Sequence, residues 1–228
     1  MLREGRLIAV SPCFNDAVGG CAGLLAARPE STVLTVYSGV PLEAAQLTEA
    51  DRLAGFATGR EAVLARQAKS ERALSLLGVR SAHMDLLHDQ YLESGEEGRL
   101  TGALASALSA LRPRVILMPL GLSRATHVRV SDACLTIRAL FQRVEWIGYE
   151  EIAEAEPGAV QERLASLLRR RILASPLDVD AQVDTAPARQ RALAARSSLA
   201  LDGNDNGPAV PVARPERYWR LSWRRDRP

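Results

Sequence analysis

The stretch Leu7-Ile8-Ala9-Val10-Ser11-Pro12-Cys13-Phe14-Asn15-Asp16 sets the reading of the chain. Four consecutive apolar residues form a run too short for a helix and apolar on both faces, as a buried strand requires. Pro12 ends it, and Asp16 stands where a helix over 16–28, built of small residues, would begin. Working outward, 32–37 reads as a second strand closed by Ser38-Gly39, followed by a polar loop over 40–59. Residues 60–77 give a helix with Ala62, Ala65, Ala73, Leu74 and Leu77 on one side, stopped by Gly78. A weak third strand at 82–86 precedes a helix over 99–111. The clearest strand is 115–118, then come a helix over 131–141 and a fifth strand over 144–149. Continuous apolar strands alternating with helices predict an α/β, three-layer domain: a mostly parallel sheet of at least five strands, covered on both faces.

Beyond residue 150 the periodicity weakens. Helices are expected over 159–171 and 187–201, and a loop over 202–208. The tail carries Tyr218, Trp219 and Trp223 among arginines; Trp219, Leu221 and Trp223 alternate as a half-buried strand does, which favours packing on the domain over a nucleic-acid or membrane-surface segment. The expectation is one domain over 1–228, with a core of 1–150 and a C-terminal extension of 151–228.

Composition excludes more than it selects. The 228 residues carry 29 basic and 27 acidic side chains, a net charge of +2 that points to no nucleic-acid partner. Lys69 is the single lysine, so arginine supplies nearly all positive charge, as GC-rich bacterial coding would. Three scattered cysteines, Cys13, Cys21 and Cys134, suit reduced thiols in a cytoplasmic protein. The apolar run at 7–10 is too short for a secretory core. The run at 115–122 is broken by Pro119 and Gly121, so no membrane span is expected.

In an open parallel sheet, ligands bind beyond the carboxyl ends of the strands, where strand order reverses. Two loops there carry chemistry: Ser11-Pro12-Cys13-Phe14-Asn15-Asp16 after the first strand, and Pro119-Leu120-Gly121-Leu122-Ser123-Arg124-Ala125-Thr126-His127 after the fourth. If those strands are neighbours, Cys13, Asp16 and His127 converge, and a thiol, a carboxylate and an imidazole are all competent zinc ligands. The same residues also read as a core cysteine, a helix cap and a satisfied histidine. Gly19-Gly20 lies inside the first helix rather than at its start, so it makes a poor phosphate cradle. Arg169-Arg170-Arg171 reads as a solvated helix end.

The segment Ser11-Pro12-Cys13-Phe14-Asn15-Asp16-Ala17-Val18 resembles the Ser-Pro-His-x-Asp-Asp motif of the PIG-L/LmbE-like zinc-dependent N-deacetylases. Pro119-Leu120-Gly121-Leu122 followed by Arg124-Ala125-Thr126-His127-Val128 is similar to that family's Gly-x-x-His-Pro-Asp-His-Val, and 60–78, 85–91, 131–133 and 215–221 extend the likeness in order. The resemblance implies a Rossmann-like domain and a zinc held at Cys13, Asp16 and His127. It also implies that the general base has become Asn15 and the oxyanion-supporting histidine Arg124, with Thr126 replacing an aspartate. The family's Arg-x-x-Glu becomes Arg66 and Lys69. An amide cannot take a proton from water near neutral pH, and a guanidinium beside a dication weakens metal binding. Zinc is therefore expected to be weak or absent. The ligand implied is an amino-sugar conjugate, with Arg66 among its contacts and with no nucleic acid and no membrane; His88 and Tyr91, which follow the third strand on the ligand rim, read either as further contacts to it or as ordinary loop residues. Three readings stay open: a sugar-binding pseudoenzyme; a rebuilt amide hydrolase using Arg124 with Asp89 or Glu93 as base; and a Cys13 nucleophile with His127 as base. The first is the main expectation and the second its alternative.

Overall fold

The computed structural model describes residues 2–42, 47–91, 99–122, 124–151, 157–179, 185–197 and 215–223. Its centre is a seven-stranded sheet in the order β3-β2-β1-β4-β5-β7-β6. Strands β1 (Leu7–Ser11), β2 (Thr32–Thr35), β3 (Arg80–His83), β4 (Val115–Pro119) and β5 (Glu145–Tyr149) are mutually parallel. Strands β6 (Ile172–Pro176) and β7 (Tyr218–Trp223) add an antiparallel flank, β7 pairing with both β5 and β6. The sheet is thus mostly parallel with two antiparallel strands, and residues beyond 150 complete it rather than hang from it.

Alternation along β1 assigns the two faces. Leu7 and Ala9 join the core beneath α1 (Asp16–Ala26), α3 (Gly59–Leu76) and α7 (Ala186–Ser197). Ile8 and Val10 join the core beneath α4 (Leu100–Leu111), α5 (Ala125–Ile137) and α6 (Ala159–Arg169). Every residue of β1 and β4 is buried, as strands covered on both faces must be.

Several elements depart from the sequence reading. The third strand begins two residues early, at Arg80, because it is an edge strand whose mostly exposed side chains carry no apolar signal. β6 has no counterpart in that reading for the same reason: its outer edge exposes Leu173 and Ser175, and Pro176 ends it. The loop expected over 40–59 contains a short helix, α2 (Glu49–Leu53), capped by Thr48 accepting from the Asp51 amide. The helix expected over 131–141 starts at Ala125 and gives way to a 3-10 turn over Arg138–Phe141. The tail does form the expected strand, β7. Of the helix expected over 187–201, residues 186–197 are helical and the rest lies outside the described residues, as does the loop over 202–208.

Helix α1 is broken at Cys21 (φ −148°, ψ 28°), and the break is filled from the far end of the chain. The Gly23 amide donates to the Glu216 carboxylate at 2.9 Å, and Tyr218 and Arg189 hold that carboxylate in place. Gly20 is required by closeness: a Cβ there would lie 2.6 Å from the Tyr149 ring, whose hydroxyl donates to the Val10 carbonyl. Gly20 is therefore a packing device between α1 and β5.

Candidate functional site

β1 pairs with β2 on one side and β4 on the other, so strand order reverses between β1 and β4. The loops after these two strands meet there, at the carboxyl edge of the sheet, as the switch-point rule requires.

The β1 loop is wound tightly around its own backbone. Ser11 Oγ donates to the Cys13 carbonyl at 2.6 Å and accepts from the Ala17 amide at 3.0 Å, so Ser11 caps α1. Asn15, at the formal cap position, is left with another geometry: left-handed backbone (φ 67°), no capping bond, 2% exposure, and neither side-chain polar atom bonded. Asp16 Oδ2 accepts from the Cys13 amide at 2.7 Å.

His127, in the first turn of α5, is completely buried between two carboxylates. Its Nε2 lies 3.1 Å from Asp16 Oδ2 and its Nδ1 lies 3.4 Å from Glu151 Oε1. Glu151 follows β5, and the same Oε1 accepts from the Gly121 amide at 2.8 Å. Burial works to lower the imidazole pKa, but the adjacent Asp16 and Glu151 carboxylates outweigh it and push it up to about 9. For Asp16 burial works upward, and the His127 contact more than offsets it, holding the carboxyl below its ordinary value. The unit is an imidazolium clamped by two carboxylates. Sequence reasoning misses Glu151; its place just past the fifth strand, on the ligand rim, is the signal that could have found it.

Above this unit opens a cleft of about 340 Å³ lined by Cys13, Phe14, Tyr37, Gly39, Val63, Arg66, His88, Gln90, Tyr91, Arg124 and Thr126. Five of the eight residues singled out from the sequence, Cys13, Arg66, His88, Tyr91 and Arg124, face it. His88 Nδ1 accepts from the Gln90 amide at 3.3 Å, leaving Nε2 to carry the proton, and burial lowers its pKa, so it is neutral at pH 7. Arg66 and Tyr91 line the cleft with their polar ends already engaged. Arg66 donates to Tyr91 Oη at 2.9 Å and to Asp51, and Tyr91 donates to Asp51 Oδ2 at 2.7 Å. Asp51 is wholly buried in α2, within the stretch expected to be loop. Asp89, weighed as a base, is ion-paired with Arg129; Glu93 lies outside the described residues.

A zinc of the kind the resemblance implies needs three donors around one point. Asp16 and His127 stand side by side, but Cys13 presents its amide to Asp16, and Glu151 lies on the opposite ring nitrogen of His127. Among the described residues no three His, Cys, Asp or Glu side chains are grouped so as to hold a metal ion. The residues present do not fit that zinc site. Among the described residues no helix is long and apolar enough to cross a membrane.

No family model matches the sequence, and no curated protein matches it. Likeness appears in solved structures. A zinc-inhibited form of the teicoplanin deacetylase Orf2 superposes with a TM-score of 0.72 at 17% identity, over 98% of this chain and 100% of that one. The N,N'-diacetylchitobiose deacetylase of Pyrococcus horikoshii gives 0.53 at 14% identity, over 90% of this chain and 72% of that one. The 4-carboxy-2-hydroxymuconate hydratase GalB of Pseudomonas putida also gives 0.53, at 12% identity over 99% of each chain. At such identities the likeness is one of fold: this chain has the α/β fold of these deacetylases, a fold that also carries a hydratase.

Proposed function

We propose that the chain binds a sugar-like small molecule in the cleft between the β1 and β4 loops and does not hydrolyse an amide there. One observation carries this reading: the position where the resemblance requires a general base holds Asn15, a buried amide that cannot accept a proton. No carboxylate among the described residues lines the cleft in its place, and Glu151 is buried beside His127, where it accepts from the Gly121 amide. Asp16 is bound to the Cys13 amide and His127, Asp51 to Arg66 and Tyr91, and Asp89 to Arg129. General-base assistance is worth ~10²–10⁴-fold, so its loss alone removes most of a hydrolase's rate. The cleft itself is intact and suits recognition: Tyr37, His88, Gln90 and Thr126 supply polar groups between the apolar walls of Phe14 and Val63. Support for a sugar-like ligand comes from the fold, since deacetylase structures that share it are described with teicoplanin and as acting on diacetylchitobiose.

The zinc site and the deacetylase lineage of the motifs belong to the resemblance; in this reading His127 is held between Asp16 and Glu151 as part of the cleft floor. The test is acetate release from a panel of N-acetyl sugars, with and without added zinc, beside calorimetric binding of the same sugars. Binding without turnover above the buffer rate is expected. Steady turnover that disappears in Asp16→Asn would overturn the reading in favour of a rebuilt hydrolase, and turnover that disappears in Cys13→Ala would favour the thiol mechanism.

A further inference from the structure

We infer that the ligand of this cleft carries an anionic group, a carboxylate or a phosphate, and that Arg124 is the residue that selects it. The inference rests on the binding reading above and specifies its ligand. Among the described residues lining the cleft none is acidic, whereas two guanidiniums, Arg66 and Arg124, face it. The two arginines differ. Arg66 is buried and spends its charge on Asp51. Arg124 is exposed at the cleft wall, where its charge helps to hold the Asp16 carboxyl below its ordinary value without forming a close ion pair with it. It is the cation of this wall that remains for a ligand.

The surroundings deepen the bias. Near the cleft Asp51 and Asp89 are paired with Arg66 and Arg129, while Asp16 and Glu151 share His127 and neither lines the cleft. Arg124 also stands at the N-terminal cap of α5 and forms no side-chain cap, and Thr126 of the first helical turn lines the same cleft. The positive end of a thirteen-residue helix therefore adds to the guanidinium rather than opposing it. His88 fits the same pattern: its Nδ1 is occupied by the Gln90 amide, so its remaining ring nitrogen is a donor. Tyr37, Gln90 and Thr126 give this wall neutral groups that both donate and accept, and Arg124 adds a positive charge that a neutral acetamido or hydroxyl group cannot match. The wall offers an anion a guanidinium fork, and charge-assisted bonds of that kind are about twice as strong as neutral ones. A neutral amino sugar is thus the weaker ligand, and an acidic or phosphorylated sugar the stronger.

Isothermal titration of the full chain with glucuronate, glucose 6-phosphate, glucose, N-acetylglucosamine and inorganic phosphate tests this, repeated on Arg124→Gln. The Arg124 side chain is exposed, so the variant should fold, and unfolding curves check that it does. At least one acidic sugar should bind ~10-fold or more tighter than its neutral counterpart, with the advantage shrinking in added salt and disappearing in Arg124→Gln. Glucuronate against glucose 6-phosphate tells carboxylate from phosphate. Neutral sugars binding as tightly as acidic ones, or an acidic preference that survives Arg124→Gln, would overturn the anion assignment while leaving the sugar reading in place. Arg124-dependent binding of phosphate with no sugar bound would keep the anion and overturn the sugar. No binding by any of the five would overturn both.

Discussion

Two buried ionic clusters support the same cleft, and they are finished to different standards. In the Asp51 cluster each carboxylate oxygen has its own donor, Arg66 on one and the Tyr91 hydroxyl on the other, and Arg66 and Tyr91 bond each other as well. The Asp16–His127–Glu151 cluster is looser: its two contacts stretch to 3.1 and 3.4 Å, Glu151 Oε2 is unbonded, and the amide of Asn15 next to it is unbonded at both ends. A closed network holds elements together, here α2, α3 and the 3-10 turn over Asp89–Tyr91. An open one stores polar groups without partners, which natural structures tolerate chiefly at functional sites. The difference marks Asp51 as architecture and leaves the His127 side as the candidate site.

The sharpest way to break that comparison is to open the closed network. Asp51→Ala strands the Arg66 guanidinium, 8% exposed, without a counter-charge. Removing one partner of a buried ion pair costs ~3–5 kcal/mol. Asp51→Ala with Arg66→Met should recover much of the loss, since the stranded charge goes with it. Urea unfolding measures both; a loss under about 1 kcal/mol for the single change would show that the network is solvated and not architectural.

A pH titration probes the open cluster. The His127 pKa is raised from an ordinary 6.5 to about 9. Its contribution is therefore fully present below about pH 6.5 and is lost as pH rises toward 9. At 1.36 kcal/mol per unit the swing is on the order of 3 kcal/mol. Asp16 acts oppositely: held below its ordinary value, it adds stability above pH 3.8 that is lost as acid protonates it. The stability curve should decline between pH 6.5 and 9, and His127→Gln should flatten that decline. An unchanged slope in the variant would mean that the imidazole is neutral in the native state.

The contrast between the clusters also bears on what the sequence discloses. Strands β1, β4 and β5 are legible because they are buried on both faces, and a short continuous apolar run between turn residues fits little besides a buried strand. The edge strands β3 and β6 are displaced or absent in the sequence reading because an edge, half in water, writes no such run. Asp16 and His127 can be brought together from the loops that follow neighbouring strands, a matter of topology alone. Asp51 cannot: a lone acidic residue in a polar stretch looks like surface until the fold buries it, whereas Glu151 could have been found by its place just past the fifth strand. The role of Arg66 is likewise hidden, because its partners lie 15 and 25 residues away in elements with no apolar periodicity.

The smallest expected effect is the most discriminating, and it concerns Asn15. Its backbone sits at φ 67°, where glycine is at ease and asparagine is tolerated, and its buried amide bonds nothing. Asn15→Gly removes an unsatisfied polar group, worth ~1–3 kcal/mol when buried, and relieves the left-handed backbone. Against this stand a small void and the added freedom of glycine in the unfolded chain, ~0.4–1 kcal/mol. The terms nearly cancel, so Asn15→Gly should fall within about 1 kcal/mol of the natural chain, on the stabilising side. If Asn15 is kept for a ligand, the same change should weaken sugar binding while stability holds, a split that a packing residue would not show. Asn15→Asp places a second carboxylate beside Asp16 and should destabilise at neutral pH, recovering as acid neutralises one of the pair. A Gly variant that loses about 2 kcal/mol or more would show instead that the amide is bonded in solution and that the open cluster is closed after all.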